Sequence, residues 1–124
     1  MTATPWLVET TEKTQRRKLA GQVVELEYMR QQMTRDQTAS NAKMSPTTLD
    51  RIRRGDDTIS VAKLRSVEGV LDLPDDLLVH IIENNVAAIE ELETTEIRPS
   101  LRRWIMAGLA DIHDGQRHLK VVGS

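Results

Sequence analysis

Residues 40–55, SNAKMSPTTLDRIRRG, read as the end of one helix, a two-residue break and a second helix stopped by glycine. Ser45 is a good N-cap because its hydroxyl can accept from a free amide of the first turn, and Pro46 follows at the one helical position where a missing N–H costs nothing. Met44 and Leu49 flank that start with the spacing of a hydrophobic staple, and Gly55 stands where a helix commonly turns left-handed to end. Between these marks the helix holds Arg51 and Arg53, with Arg54 at its end, but only Leu49 and Ile52 as large apolar residues. It therefore has one thin buried edge and a broad polar face.

The neighbouring segments carry comparable punctuation. Upstream, Thr34 followed by Gln37 is a capping-box pattern that opens a helix over TRDQTASNAK. Before it, TEKTQRRKLAGQVVELEYMRQQ, residues 11–32, places Leu19, Val23, Leu26 and Met29 or Met33 at helical spacing, with Gly21 as a tolerated weak point. Downstream of the polar GDDT, Ser60 caps a further helix, Ile59 and Leu64 form a second staple pair, and Leu64, Val67, Val70 and Leu71 make its buried face. LDLPDD ends that helix and begins a fifth, expected over Asp75 to Glu93, with Leu77, Leu78, Ile81, Ile82 and Ala88 or Ile89 inward, fading into EELETTE. Pro99 opens a last helix whose Leu101, Trp104, Ile105, Gly108, Leu109 and Ile112 form a narrow apolar stripe.

Composition agrees with an all-α chain. With 124 residues, 39% hydrophobic, 2% aromatic and no Phe, the core must be made mainly of Leu, Ile, Val, Ala and Met, which suits helices better than a sandwich or barrel. One modest core fits this length, and two large layers do not. The absence of Cys excludes disulfides, thiol catalysis and thiolate metal sites, and fits a reducing cytoplasm. No apolar run approaches the roughly 18 residues of a membrane span, and the opening MTATPWLVETTEK lacks the basic start and apolar stretch of a signal peptide. A cytoplasmic protein without a membrane partner is expected.

The formal charge of −2 conceals a segregation. Residues 30–65 hold eight Lys or Arg against four acids, a net of +4, whereas residues 66–124 hold five against eleven, a net of −6. The middle is a candidate anion-binding face and the tail is not, although Arg98, Arg102, Arg103 and Arg117 form a local exception.

Nothing in the sequence suggests an enzyme. His80, His113 and His118 are dispersed, and the five-residue step between the last two is wrong for one face of a helix, so no metal site is expected. The carboxylates of EELETTE have no apolar surroundings to tune them, and there is neither a glycine-rich phosphate loop nor a nucleophile in a recognisable setting. No cofactor is implied.

Two short helices joined by a tight turn, the second polar and basic, are the helix-turn-helix arrangement that lays its second helix in the DNA major groove. Ala39 is small where the two helices cross, and Met44, Leu49 and Ile52 are the apolar pins behind the second. Residues 33–78, MTRDQTASNAKMSPTTLDRIRRGDDTISVAKLRSVEGVLDLPDDLL, resemble without gaps the Cro and lambda-repressor (Xre-like) helix-turn-helix family. They depart from it at Arg35, where the family usually has glutamine, and at Lys43, which replaces the turn glycine and must adopt a left-handed conformation at some strain.

The resemblance implies an all-α fold, a five-helix lambda-repressor-like helix-turn-helix domain with an additional C-terminal helix. It divides into a DNA-binding domain over residues 1–78, with its core at 33–78, and a helical dimerisation or accessory region over 79–124. It implies that Pro46, Thr47, Asp50 and Arg51 face the bases. Arg51 is the expected guanine reader, while Asp50 either accepts from cytosine N4 or orients Arg51. Arg35, Lys43, Arg53 and Arg54 are the expected phosphate contacts. The stripe of Leu101, Trp104, Ile105 and Leu109 either packs back onto the first domain or pairs with its copy in a homodimer. The function implied is a sequence-specific regulator of double-stranded DNA, a repressor of phage or prophage immunity type acting by operator occupancy. Two alternatives stand beside it: an antitoxin of a toxin-antitoxin pair that represses its own operon while its acidic tail holds a small basic protein partner, and a protein-interaction module that keeps the fold but not the DNA contacts.

Overall fold

A computed structural model of the chain describes the backbone of residues 5–122 and the side chains of residues 11–115. Seven helices follow one another in the described residues, with no strand: α1 Pro5–Arg30, α2 Arg35–Asn41, α3 Pro46–Arg53, α4 Val61–Leu71, α5 Leu77–Ile82, α6 Val86–Glu90 and α7 Pro99–Val122. No described helix is long and apolar enough to cross a membrane. The side chains of Arg117 and His118 lie outside the described residues.

The caps read from the sequence form. Thr34 and Gln37 complete a reciprocal capping box at α2, the Ser45 hydroxyl accepts from the Thr48 amide at 3.1 Å, and the Ser60 hydroxyl accepts from the Lys63 amide at 3.3 Å. At the other end of α3, the amides of Gly55 and Asp56 return to the carbonyls of Ile52 and Arg51, each at 3.0 Å, while Gly55 sits at φ +78°. α2 ends in the same way with Lys43 at φ +57°, its amide on Ser40 and that of Met44 on Ala39. Both are Schellman closures, in which a left-handed residue lets the last carbonyls find donors.

The helix expected from Asp75 to Glu93 is two helices. Asn84 turns left-handed at φ +55°, the amide of Asn85 closes α5 on the His80 carbonyl at 2.8 Å, and the Asn85 side chain then caps α6 by accepting from the Ala88 amide at 3.2 Å. Asparagine tolerates that conformation better than other side chains, so the pair ends one helix and starts the next.

α1 is the spine. It packs against α3, α4, α5 and α7, and its buried face is Arg16, Leu19, Ala20, Val23, Val24, Glu27 and Tyr28. The stripe read from spacing is rotated from this face. Leu19 and Val23 are in the core, but Leu26 and Met29 are 44% and 62% exposed. Apolar periodicity alone misses the face because two charged residues share it. The buried Arg16 donates from Nε to the Ile82 carbonyl at 2.8 Å, and Glu27 binds Arg30 and Arg98.

α7 lies antiparallel along α1, since Glu27 meets Arg98, Leu19 meets Gly108, and Glu12 meets His113. Leu101, Ile105 and Leu109 are buried in the same cluster that holds Leu19, Val23, Leu49, Ile52, Leu77, Leu78 and Ile81. The core is thus continuous from residue 19 to residue 109 and crosses position 78 without a break. Of the four residues expected to form an oligomerisation stripe, these three face their own chain. Trp104 remains at the surface, 37% exposed, beside Leu26 and Met29.

Candidate nucleic-acid interface

α3 is held by its thin apolar edge. Leu49 and Ile52 are buried, Met44 and Ile59 pack partly against them, and Ala39 of α2 is buried where the two short helices cross. The opposite face carries Thr47, Asp50, Arg51 and Arg54, with Pro46 half-buried at the start. The backbone of α3 rests on α1 at Gly21, where a Cβ would meet the carbonyl oxygens of Arg53 and Ile52 at 2.5 and 2.6 Å. Gly21 is therefore a close-approach site rather than a weak point in a helix.

Three of the expected contact residues, Arg35, Asp50 and Arg53, are joined in one network. Asp50 accepts from Arg35 Nη1 at 2.8 Å through one oxygen and from Arg53 Nη1 at 3.0 Å through the other. Arg53 also pairs with Glu25 of α1 at 3.0 Å, and its guanidinium lies 5.8 Å from the centre of the Tyr28 ring. Two expectations change as a result. Asp50 orients Arg35 and Arg53, not Arg51. Arg53 faces α1 and fastens α3 to it through Glu25 and the Tyr28 ring. The first departure comes from Arg35 and Arg53, which take both Asp50 oxygens. The second comes from Glu25 and Tyr28, which lie more than twenty residues upstream and are invisible to a reading confined to α2 and α3.

Arg51 turns toward the loop that follows α3. Its Nε donates to Asp56 Oδ2 at 3.0 Å, and its Nη2 donates to the Thr58 hydroxyl. Thr58 in turn donates to Asp56 Oδ1 from its hydroxyl at 2.5 Å and its amide at 2.7 Å. The hydrogen bonds from Thr58, with the Arg51 guanidinium, hold the Asp56 carboxyl well below the usual carboxylate range. Asp56 and Thr58 carry no motif or spacing that marks them as partners of Arg51. The only signal was that GDDT opens with a residue type that makes local turns.

The positive charge of the middle segment is largely taken up within the chain. Arg30 pairs with Glu27, Arg35 with Asp36 and Asp50, and Arg65 with Asp76. The basic residues of 30–65 without an ion pair among the described residues are Lys43, Arg54 and Lys63. They stand at the α2–α3 turn, the end of α3 and the first turn of α4, all exposed. Lys18, also exposed, lies against Gly55 beside Arg54. In the tail, Arg98 pairs with Glu27, and Arg102 donates to the carbonyls of Glu90 and Leu92 at 3.3 and 2.5 Å. That leaves Arg103 exposed and unpaired in the described part of α7.

No protein-family model, curated protein or solved structure matches the chain.

Proposed function

We propose that this chain is a sequence-specific double-stranded DNA-binding regulator with a lambda-repressor-like helix-turn-helix, acting as a repressor of phage or prophage type by occupying an operator. One observation carries the reading. A short, doubly capped helix shows a polar face of Thr47, Asp50, Arg51 and Arg54, and the unpaired cations Lys43, Arg54 and Lys63 lie at its two ends and on the next helix. A helix of this kind suits a major groove, with its side chains at base edges and the flanking cations at phosphates. Arg51 supplies the donors for guanine, and Thr47 and Pro46 offer apolar contact to a thymine methyl. A repressor needs no chemistry of its own, because an occupied operator excludes the polymerase.

With Leu101, Ile105 and Leu109 turned into their own core, the chain acts as a monomer on an asymmetric site. Selection of the full-length protein against a random duplex pool tests both points. An enriched consensus without a two-fold axis is expected. A palindrome would replace the monomer with a symmetric dimer whose half-sites lie about 34 Å apart. Failure to enrich or retard any duplex at low salt would sink the DNA-binding reading.

A further inference from the structure

We infer that Asp56 and Thr58 are positioning residues for base reading, which form a clasp that presents Arg51 to guanine by its end-on edge. This rests on the DNA-binding reading above and adds two residues to it.

A guanidinium has five N–H donors in a fixed planar fork. They form two edges able to make paired hydrogen bonds: a side-on edge of Nε and Nη2, and an end-on edge of Nη1 and Nη2. In this chain the side-on edge is filled, Nε by Asp56 Oδ2 at 3.0 Å and Nη2 by the Thr58 hydroxyl. Nη1 has no acceptor among the described residues. Two of the three remaining hydrogens, one on each terminal nitrogen, point parallel from the end of the side chain, the geometry that guanine O6 and N7 require.

The clasp is itself braced. The Thr58 hydroxyl can accept from Arg51 only while its own hydrogen is directed elsewhere, and Asp56 Oδ1 takes it at 2.5 Å. Asp56 also receives the Thr58 amide at 2.7 Å, so its two oxygens are fixed by three donors in all. Schellman closure at Gly55, with the Asp56 amide on the Arg51 carbonyl at 3.0 Å, brings the carboxylate back beside the residue it holds. A long flexible side chain is thereby ordered before DNA arrives, so less freedom is lost on binding and a misplaced base meets a donor pair that cannot adapt to it.

The test uses the full-length protein, the selected consensus duplex and its single-base-pair variants, with Kd measured by fluorescence anisotropy. Arg51→Ala identifies the base pair at which discrimination, about 5- to 150-fold for one bidentate arginine, is lost. Thr58→Val and Asp56→Asn are expected to shrink discrimination at that base pair fivefold or more and to leave the other positions as they were. Thr58→Ser, which keeps the hydroxyl, should retain it. In an Arg51→Ala background, Thr58→Val should change no base preference further. Thermal melts establish that each variant is folded, and the two clasp variants stand in for one another if one is not.

Clasp variants that leave discrimination intact, or weaken every duplex equally, would overturn the inference and make the clasp a loop staple. If Arg51→Ala leaves all base preferences unchanged on a duplex the wild type selects, Arg51 is not a reader and the positioning role falls with it. If the wild type selects no duplex, the DNA-binding reading has failed first, and the clasp again serves only the loop.

Discussion

Gly21 of α1 lies so close under the last turn of α3 that a Cβ there would stand 2.5 Å from the carbonyl oxygen of Arg53. Backbone atoms on both sides make this crossing hard to relax. In an isolated helix, Gly→Ala gains about 1 kcal/mol of helix propensity. Here the clash dominates, because α3 must move off its spine. Gly21→Ala is expected to destabilise the chain by about 1–3 kcal/mol, read as a lower urea midpoint. A higher midpoint would mean that the two helices do not approach this closely.

Lys43 occupies a position that glycine would fill without strain. Its φ of +57° is left-handed, and the closure of α2 depends on it through the Lys43 and Met44 amides. Lys43→Gly should raise stability by about 1 kcal/mol by removing the Cβ penalty. The same change removes an exposed cation at the α2–α3 turn, so affinity for all duplexes should fall together. Opposite signs in the melt and in the binding titration are the expected result, and a loss of stability would count against the left-handed turn.

Glu27 ties the two long helices together from inside. Its side chain is 1% exposed, with Arg98 Nη2 2.9 Å from one oxygen and Arg98 Nη1 and Arg30 Nε each 3.0 Å from the other. The approach to the first oxygen is a close ion pair without hydrogen-bond alignment. Burial pushes the carboxyl up, but the hydrogen bonds and charges of Arg98 and Arg30 outweigh it and leave the group below its ordinary 4.5. A depressed folded value means stability that is present above pH 4.5 and is lost as the pH falls toward the folded pKa. Arg98→Ala should cost about 1–3 kcal/mol near neutrality, less than breaking a fully buried pair because Arg98 is 40% exposed. The deficit should narrow in acid. Urea midpoints of both proteins between pH 3 and 7 check this, and a pH-independent gap would exclude the ion pair as its cause.

What the sequence discloses here follows the range of the forces involved. Caps and closures are local, so Thr34, Ser45, Pro46, Gly55, Ser60 and Pro99 mark real boundaries. The Asn84–Asn85 break was also local, and the apolar run through Ile81, Ile82 and Ile89 masks it. The inner face of α1 was not local. Arg16 and Glu27 are buried only because Ile82 and Arg98, 66 and 71 residues away, accept or supply their hydrogen bonds. The same holds at the interface: Arg54 and Lys43 stay exposed as expected, whereas Glu25 and Tyr28 draw Arg53 inward and Asp50 is shared between two arginines. A charge count over residues 30–65 locates the basic segment but not which cations remain unpaired in it.

Glu68 presents the opposite acid response from Glu27. It is 1% exposed, and its two oxygens accept the amides of Asp76 at 2.9 Å and Leu78 at 2.8 Å, capping α5 from the neighbouring helix. Burial raises its pKa, and those two amides offset only part of the rise. The folded chain therefore holds this proton more tightly than the unfolded chain. The resulting stability is complete below 4.5 and is lost as the pH climbs through the raised value. Glu68→Gln removes the titration, so the advantage of the wild type over this variant should shrink as the pH rises from 4 to 7. A widening gap would reverse the sign assigned to Glu68.

Arg53 and Arg54 are adjacent in sequence and should behave as different kinds of residue. Arg53 is engaged by Glu25, Asp50 and the Tyr28 ring, while Arg54 is exposed and unpaired among the described residues. Arg53→Ala should lower stability by about 1–3 kcal/mol, through lost bonds and the carboxylates it leaves facing one another. Arg54→Ala should leave stability within about 0.5 kcal/mol. On DNA the order inverts in character. Arg54→Ala should weaken all duplexes alike and reduce the slope of log K against log salt by about 1, as expected for one phosphate contact removed. Arg53→Ala should keep the wild-type salt slope, with any loss of affinity following the loss of fold. A reduced slope in Arg53→Ala with an unchanged melt would place Arg53 at the phosphates after all, and would require its bonds to Glu25 and Asp50 to open in the complex.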